Sequence, residues 1–231
     1  MKDATYIVAT VKEWNIAAFA RHADSRAGRW VLVTDPKSLD GSLIQSLAPR
    51  YVFFPHWSWR VPDDILTAAE CVCFHMTDVP YGRGGSPLQN LIVRGHSETK
   101  ITALRMVAEM DAGPVYMKRP LSLEGAAHEI FARSAEAVFS MIGDIAAQEP
   151  VPVPQEGEPV IFPRRSPGQS KLSESASLSE LHDHIRMLDA EGYPNAFLDY
   201  GRFRVSFRDA RLDDGRLEAR AEFAEKDEEA E

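Results

Sequence analysis

Short apolar runs alternate with amphipathic segments of about ten residues through the first 120 positions, and few folds accept that pattern. The apolar runs are Tyr6–Thr10, Trp30–Val33, Tyr51–Phe54 and Cys71–His75, each as long as a strand buried on both faces. Between them, residues 14–23 place Trp14, Ala17, Phe19 and Ala20 on or near one helical face, and residues 38–47 read as a second helix. Pro62-Asp63-Asp64 opens a third helix, with proline in the first turn and acids beside the N-terminal end of its dipole. The alternation predicts an α/β chain: a Rossmann-like, mostly parallel sheet with helices on both faces.

Further along, Phe131, Ala135, Val138, Ile142 and Ile145 form the stripe of a long helix over residues 123–147. A segment rich in proline and acid follows and reads as a semi-rigid linker over residues 149–160. Ser177 and Glu180 have capping-box spacing ahead of a stripe of Leu178, Leu181, Ile185 and Leu188. Phe203, Val205 and Phe207 alternate with polar residues, Asp213-Asp214-Gly215 makes a turn, and Leu217 to Phe223 alternates again. The expected organisation is a catalytic domain at 1–148, the linker, a small C-terminal α+β subdomain at 161–224, and an acidic tail at 225–231.

The formal net charge is −9 and the pI about 5.3, which argues against a nucleic-acid partner. Cys71 and Cys73 are two apart and would close almost no loop, so no disulfide framework is expected and a reducing, cytoplasmic setting fits. No apolar run approaches the ~18 residues of a membrane span. Neither G-x-G-x-x-G nor a P-loop follows the first strand. Cys71, Cys73 and His75 share one face of a strand, but the outer two would lie about 13 Å apart, too far for one metal ion. No metal site is expected. Cys73 and His75, as neighbours on that face, have the geometry of a nucleophile pair.

The chemistry concentrates in residues 75–92. A histidine ends a strand, where open α/β sheets place their ligands. A glycine-rich loop follows, and a helix then starts near Ser86-Pro87. Met110-Asp111-Ala112-Gly113-Pro114 puts a second loop 36 residues beyond His75, headed by an acid. These residues resemble the methionyl-tRNA formyltransferase-like family and, within it, the sugar N-formyltransferases. The resemblance rests on Cys73-Phe74-His75, Pro80, Arg83-Gly84-Gly85-Ser86-Pro87 and Asp111-Ala112-Gly113. Residues 162–167 and 185–194 add a likeness to the sugar-modifying branch. The family has asparagine where this chain has Cys73, and a thiol is a weak donor.

The resemblance implies formyl transfer from 10-formyltetrahydrofolate, as co-substrate, to a primary amine. His75 would bind the oxyanion or shuttle a proton, and Asp111 would orient it and take up the amine proton. Cys73 would stand where the amide helps hold the formyl oxygen. His56, Trp57, Ser58 and Trp59 would line the folate, together with Arg83, Gly84 and Met110. Gln89, Asn90, Arg164 and Arg165 would meet the acceptor, implied to be a nucleotide-linked amino-dideoxy sugar. Alternatives are an amino acid or peptide acceptor, or a non-catalytic module that binds folate or a sugar nucleotide. A homodimer through the C-terminal strands is a further expectation.

Overall fold

A computed structural model describes residues 4–23 and 26–226. The first half runs β1 (Thr5–Ala9), α1 (Glu13–His22), β2 (Arg29–Val33), α2 (Gly41–Leu47), β3 (Tyr51–Pro55), α3 (Asp63–Ala68), β4 (Cys71–His75), β5 (Tyr81–Gly84) and α4 (Pro87–Val93). The second half runs β6 (Glu98–Arg105), β7 (Val115–Ser122), α5 (Ala127–Gln148), β8 (Val160–Phe162), α6 (Leu178–Arg186), β9 (Ala196–Tyr200), β10 (Phe203–Asp213) and β11 (Arg216–Glu225).

Six strands make one sheet in the order β2-β1-β3-β4-β6-β7. β1 to β4 are parallel, and β6 returns antiparallel beside β4. The mostly parallel sheet read from the sequence is therefore present, with β3 buried at every position, as a strand covered on both faces must be. Its helices begin where the residues dictate. Asp40 accepts from the Leu43 N–H at 2.8 Å to cap α2, which ends on Ala48 in the left-handed region. Ser177 and Glu180 form the expected reciprocal box at the start of α6.

At the amino ends of β3 and β4, Arg50 ties two acids together, at 2.6 Å from Glu70 and 3.0 Å from Glu149. The Tyr116 hydroxyl donates to Glu70 at 2.5 Å. That network braces the end of the sheet opposite the chemistry.

The chain divides into two compact units whose limits differ from those expected. The first comprises Met1–Pro87, Thr99–Leu121 and Phe131–Phe162; the second comprises Leu88–Glu98, Ser122–Ile130 and Pro163–Glu231. Residues 149–160 belong to the first unit. Val153 and Val115 exchange backbone hydrogen bonds of 2.7 and 2.9 Å, and β8 pairs parallel with β5. Prolines at alternate positions leave the intervening residues free to make these bonds, which composition alone does not reveal. In the second unit, β9, β10 and β11 form a three-stranded antiparallel sheet against which α6 packs. Of the acidic tail, residues 227–231 lie outside the described residues.

Candidate active site

Everything in the site hangs from the carboxyl end of β4. His75 is buried there, and its two ring nitrogens have different partners. Nε2 lies 2.7 Å from the Gly82 carbonyl, which also accepts from the Thr77 hydroxyl at 3.2 Å. A carbonyl can only accept, so Nε2 carries the proton. Nδ1 faces Asp111 Oδ2 at 3.5 Å. The same oxygen accepts from the Gly84 N–H at 2.9 Å. One loop carbonyl, one imidazole, one carboxylate and one loop N–H are thus joined in a chain.

Glycine is required at two points of that chain. Gly82 has φ +80°, and a Cβ on it would stand 2.7 Å from Thr77 Cγ2 and 2.8 Å from the Phe162 ring. Gly84 has φ +107°, and its Cβ would stand 2.6 Å from the Phe162 carbonyl. Asp111 itself takes φ +53°, a region that Asp and Asn enter more readily than most residues.

The residue that holds Asp111 in place is Gln155, which the sequence reading assigned to a linker. Its Nε2 donates to the carbonyls of Asp111 and Gly113, both at 2.8 Å, while its Oε1 accepts from Arg83 at 3.0 and 2.9 Å. Arg83 also lies 3.6 Å from Glu109. Its guanidinium therefore braces the loops rather than standing open for a ligand. Nothing in the local pattern of a proline-rich segment marks such a clamp.

Cys73 is half-buried on β4, paired in register with Phe54 and Leu104. Burial pushes its thiol up, and the Asp111 carboxylate pushes it further the same way. The thiol stays protonated, which removes the nucleophile reading and leaves Cys73 as one weak donor. Cys71 is likewise raised to about 12, by burial and by Glu70.

The β3–α3 loop starts at the same edge, because Pro55 pairs with Phe74. His56 has φ +53° and meets the rings of Trp14 and Phe131 edge-on at 5.4 and 5.0 Å. Trp57 packs against Phe54 and Trp59. The two indoles, with Asp35, Lys37, Leu39 and Arg60, line a cleft of about 500 Å³. Trp57 Nε1 is buried with no acceptor among the described residues. Ser58 is exposed beside them.

Burial, and secondarily Lys12, pushes His56 down to about 4. Between the ordinary histidine value of about 6.5 and that value, the unfolded chain takes a proton that the folded chain refuses. Stability is therefore expected to be level above pH 6.5 and to fall toward pH 4 by about 3 kcal/mol from this group. Urea melts across that range check it. His56→Asn, which tolerates the left-handed backbone, should flatten the slope.

The remaining expected ligand residues are bound to backbone or exposed. Gln89 and Asn90, read as facing a cleft, are buried in α4 within the second unit. Gln89 donates to the Met187 carbonyl at 3.0 Å; Asn90 donates to the Pro163 carbonyl and accepts from Arg94. Buried amides must be satisfied, and these are spent on backbone. Arg165 donates to the Gln169 carbonyl, Arg164 is exposed, and Met110 is 72% exposed. Among the described residues no cluster of His, Cys, Asp or Glu could hold a metal ion, and no helix is long and apolar enough to cross a membrane.

The mostly parallel sheet sets an imidazole and a carboxylate beside a glycine-rich loop at its carboxyl edge, and comparison with known proteins names the family. Residues 167–224 match the family model for the methionyl-tRNA formyltransferase C-terminal domain. A solved methionyl-tRNA formyltransferase from Clostridium thermocellum is 42% identical, covers 96% of this chain and 100% of its own, and superposes with a TM-score of 0.95. The methionyl-tRNA formyltransferase of Sinorhizobium medicae is 29% identical over 150 residues, 60% of this chain and 47% of that protein. The chain spans about half the length of the curated relatives it matches. A sugar N-formyltransferase from a Shewanella species shares the fold, at 15% identity over 89% of this chain and 96% of its own, with a TM-score of 0.69. The chain belongs to the formyltransferase family.

Proposed function

We propose that this chain moves a formyl group from 10-formyltetrahydrofolate to the primary amine of a nucleotide-linked amino-dideoxy sugar. The observation that carries the transfer chemistry is the His75–Asp111 pair, closed by Gly84 and held by Gln155, in a chain of this family. The donor supplies an activated formyl carbon whose bond to nitrogen breaks as the amine bonds to it. The cleft lined by the two indoles suits a flat ring.

Asp111 is the base in this reading. Oδ2 is occupied by Gly84 and His75, which leaves Oδ1 to take the proton that the amine gives up and to pass it to the departing folate nitrogen. His75 stands against that carboxylate and ties the strand end through Gly82 to the loop. Cys73 Sγ–H contributes one weak donor toward the formyl oxygen.

Gln155→Ala should lower kcat by about 10-fold to 10²-fold with KM little changed, because a loosened Asp111 backbone misplaces the base. Steady-state kinetics read the split, and Gln155→Glu, which can no longer donate to both carbonyls, should not rescue it.

For the acceptor, the net charge of −9 supports a small ligand over a polyanion. A second reading, methionyl-tRNA, is favoured by the 42% identity to the Clostridium thermocellum protein and by the match over residues 167–224. Tetrahydrofolate release, measured with 10-formyltetrahydrofolate alone, with an aminosugar nucleotide, with methionyl-tRNA and with free amino acids, separates them. Turnover confined to the aminosugar nucleotide upholds the proposal. Turnover confined to methionyl-tRNA replaces it with the second reading. Tight folate binding without turnover on any amine overturns the enzymatic role.

A further inference from the structure

Residues 76–80 join β4 to β5 and form neither helix nor strand, so their path depends on what binds their carbonyls. Those carbonyls are claimed one after another. The Thr102 hydroxyl donates to Thr77 at 2.7 Å, the Tyr81 N–H to Asp78 at 3.2 Å, the Lys118 ammonium to Val79 at 2.6 Å and the Val160 N–H to Pro80 at 3.0 Å. Two residues further on, the Gly82 carbonyl is the partner of His75 Nε2. Thr102 and Lys118 stand on β6 and β7, and every residue named here belongs to the first unit.

Lys118 differs from the other anchors. Thr102 is fully buried, and the rest are backbone N–H groups. Lys118 reaches the loop from the solvent side and holds it twice, because its ammonium also lies 2.5 Å from Asp78 Oδ1. Lys100, two residues before Thr102 on the same face of β6, lies 2.8 Å from Asp78 Oδ2. Burial alone would raise the Asp78 carboxyl, but its hydrogen bonds to Lys100 and Lys118 outweigh that and hold it below the usual carboxylate range. The acid therefore stays ionised at neutral pH. An exposed ion pair contributes little to stability by itself. What sets this one apart is the backbone bond beside it. Val79 lies three residues before Gly82, so one ammonium fixes both a side chain and a carbonyl of the segment that aims Gly82 at the imidazole.

We propose that Lys118 is a positioning residue for His75. By holding Asp78 and the Val79 carbonyl, it fixes the loop so that the Gly82 carbonyl meets Nε2, and with it the orientation and tautomer of the ring that faces Asp111. The Lys100 ammonium lies against the same carboxylate and, among the described residues, meets nothing else, so the loop keeps its path without it. The effect on turnover rests on the transfer reading given above; the effect on the His75 ring does not.

The test uses the full chain with Lys118→Met, Lys118→Arg and Lys100→Met. It reads the His75 ring N–H proton by NMR, assigned by its loss in His75→Gln, beside steady-state kinetics. In the wild type this proton should give a sharp downfield signal, because Nε2–H is buried against a carbonyl at 2.7 Å. Lys118→Met keeps the length of the side chain without its charge or donors. It should broaden that signal or move it upfield, and lower kcat about 10-fold with KM changed less than about 2-fold. Lys118→Arg keeps the charge and donors for both acceptors, and should restore the signal and bring kcat to within about 3-fold of wild type. Lys100→Met should leave the signal in place and kcat within about 2-fold. Circular dichroism checks that these solvent-facing substitutions leave the fold unchanged. If the chain formylates no amine, the ring proton alone decides. A signal that moves in Lys118→Met and returns in Lys118→Arg upholds the proposal. An unchanged signal in Lys118→Met overturns it, as does an equal effect of Lys100→Met, which would assign the change to lost charge rather than to the held loop.

Discussion

His75→Ala is expected to cut formyl-transfer turnover by about 10³-fold while the chain remains folded. The residue sits at the one point where strand, loop and carboxylate meet. Removing the ring frees the Gly82 carbonyl from its 2.7 Å partner, leaves it the longer bond from Thr77, and strips Asp111 Oδ2 of the ring nitrogen that faces it. Part of the loss would be structural, so His75→Gln is the informative companion. Its amide can still donate to the Gly82 carbonyl, but it cannot exchange a proton with Asp111. A variant that recovers thermal stability without recovering turnover assigns the effect to chemistry. Recovery of both would reduce His75 to a loop anchor.

Asp111→Asn should be as damaging, at about 10³- to 10⁴-fold in kcat. The substitution is nearly isosteric, and asparagine accepts the left-handed backbone that Asp111 occupies at φ +53°. The amide oxygen can keep the Gly84 N–H satisfied at its present 2.9 Å. What disappears is a group able to accept the amine's proton. Folate binding, measured by fluorescence quenching of the tryptophans, should survive within a few-fold, because the indole cleft is built from other loops. A variant with near-wild-type turnover would show that Asp111 only positions backbone.

The sheet was readable because strands buried on both faces must be continuous apolar runs, as β1, β3 and β4 largely are, while the edge strand β2, only half-buried, is apolar from Trp30 to Val33. β6 and β7 were not readable. β7 mixes Lys118, Arg119 and Pro120 into its pattern, as an outermost strand may, so it gives no clean apolar run. The His75–Asp111 pair was legible through spacing and resemblance. Gln155 was not, because its role consists of bonds to residues over 40 positions away, and no local periodicity encodes those. For Gln89 and Asn90 the partners were likewise hidden from the sequence. Polar residues early in a helix look available, yet here the helix is buried and its amides hold neighbouring backbone.

The central claim is that imidazole and carboxylate act as one device, and a double-mutant cycle on turnover tests it most directly. If they do, His75→Ala combined with Asp111→Asn costs about as much as the worse single change, the strong non-additivity of groups that work as a unit. Losses that simply multiply, about 10⁶-fold together from two independent losses of about 10³-fold, would contradict it.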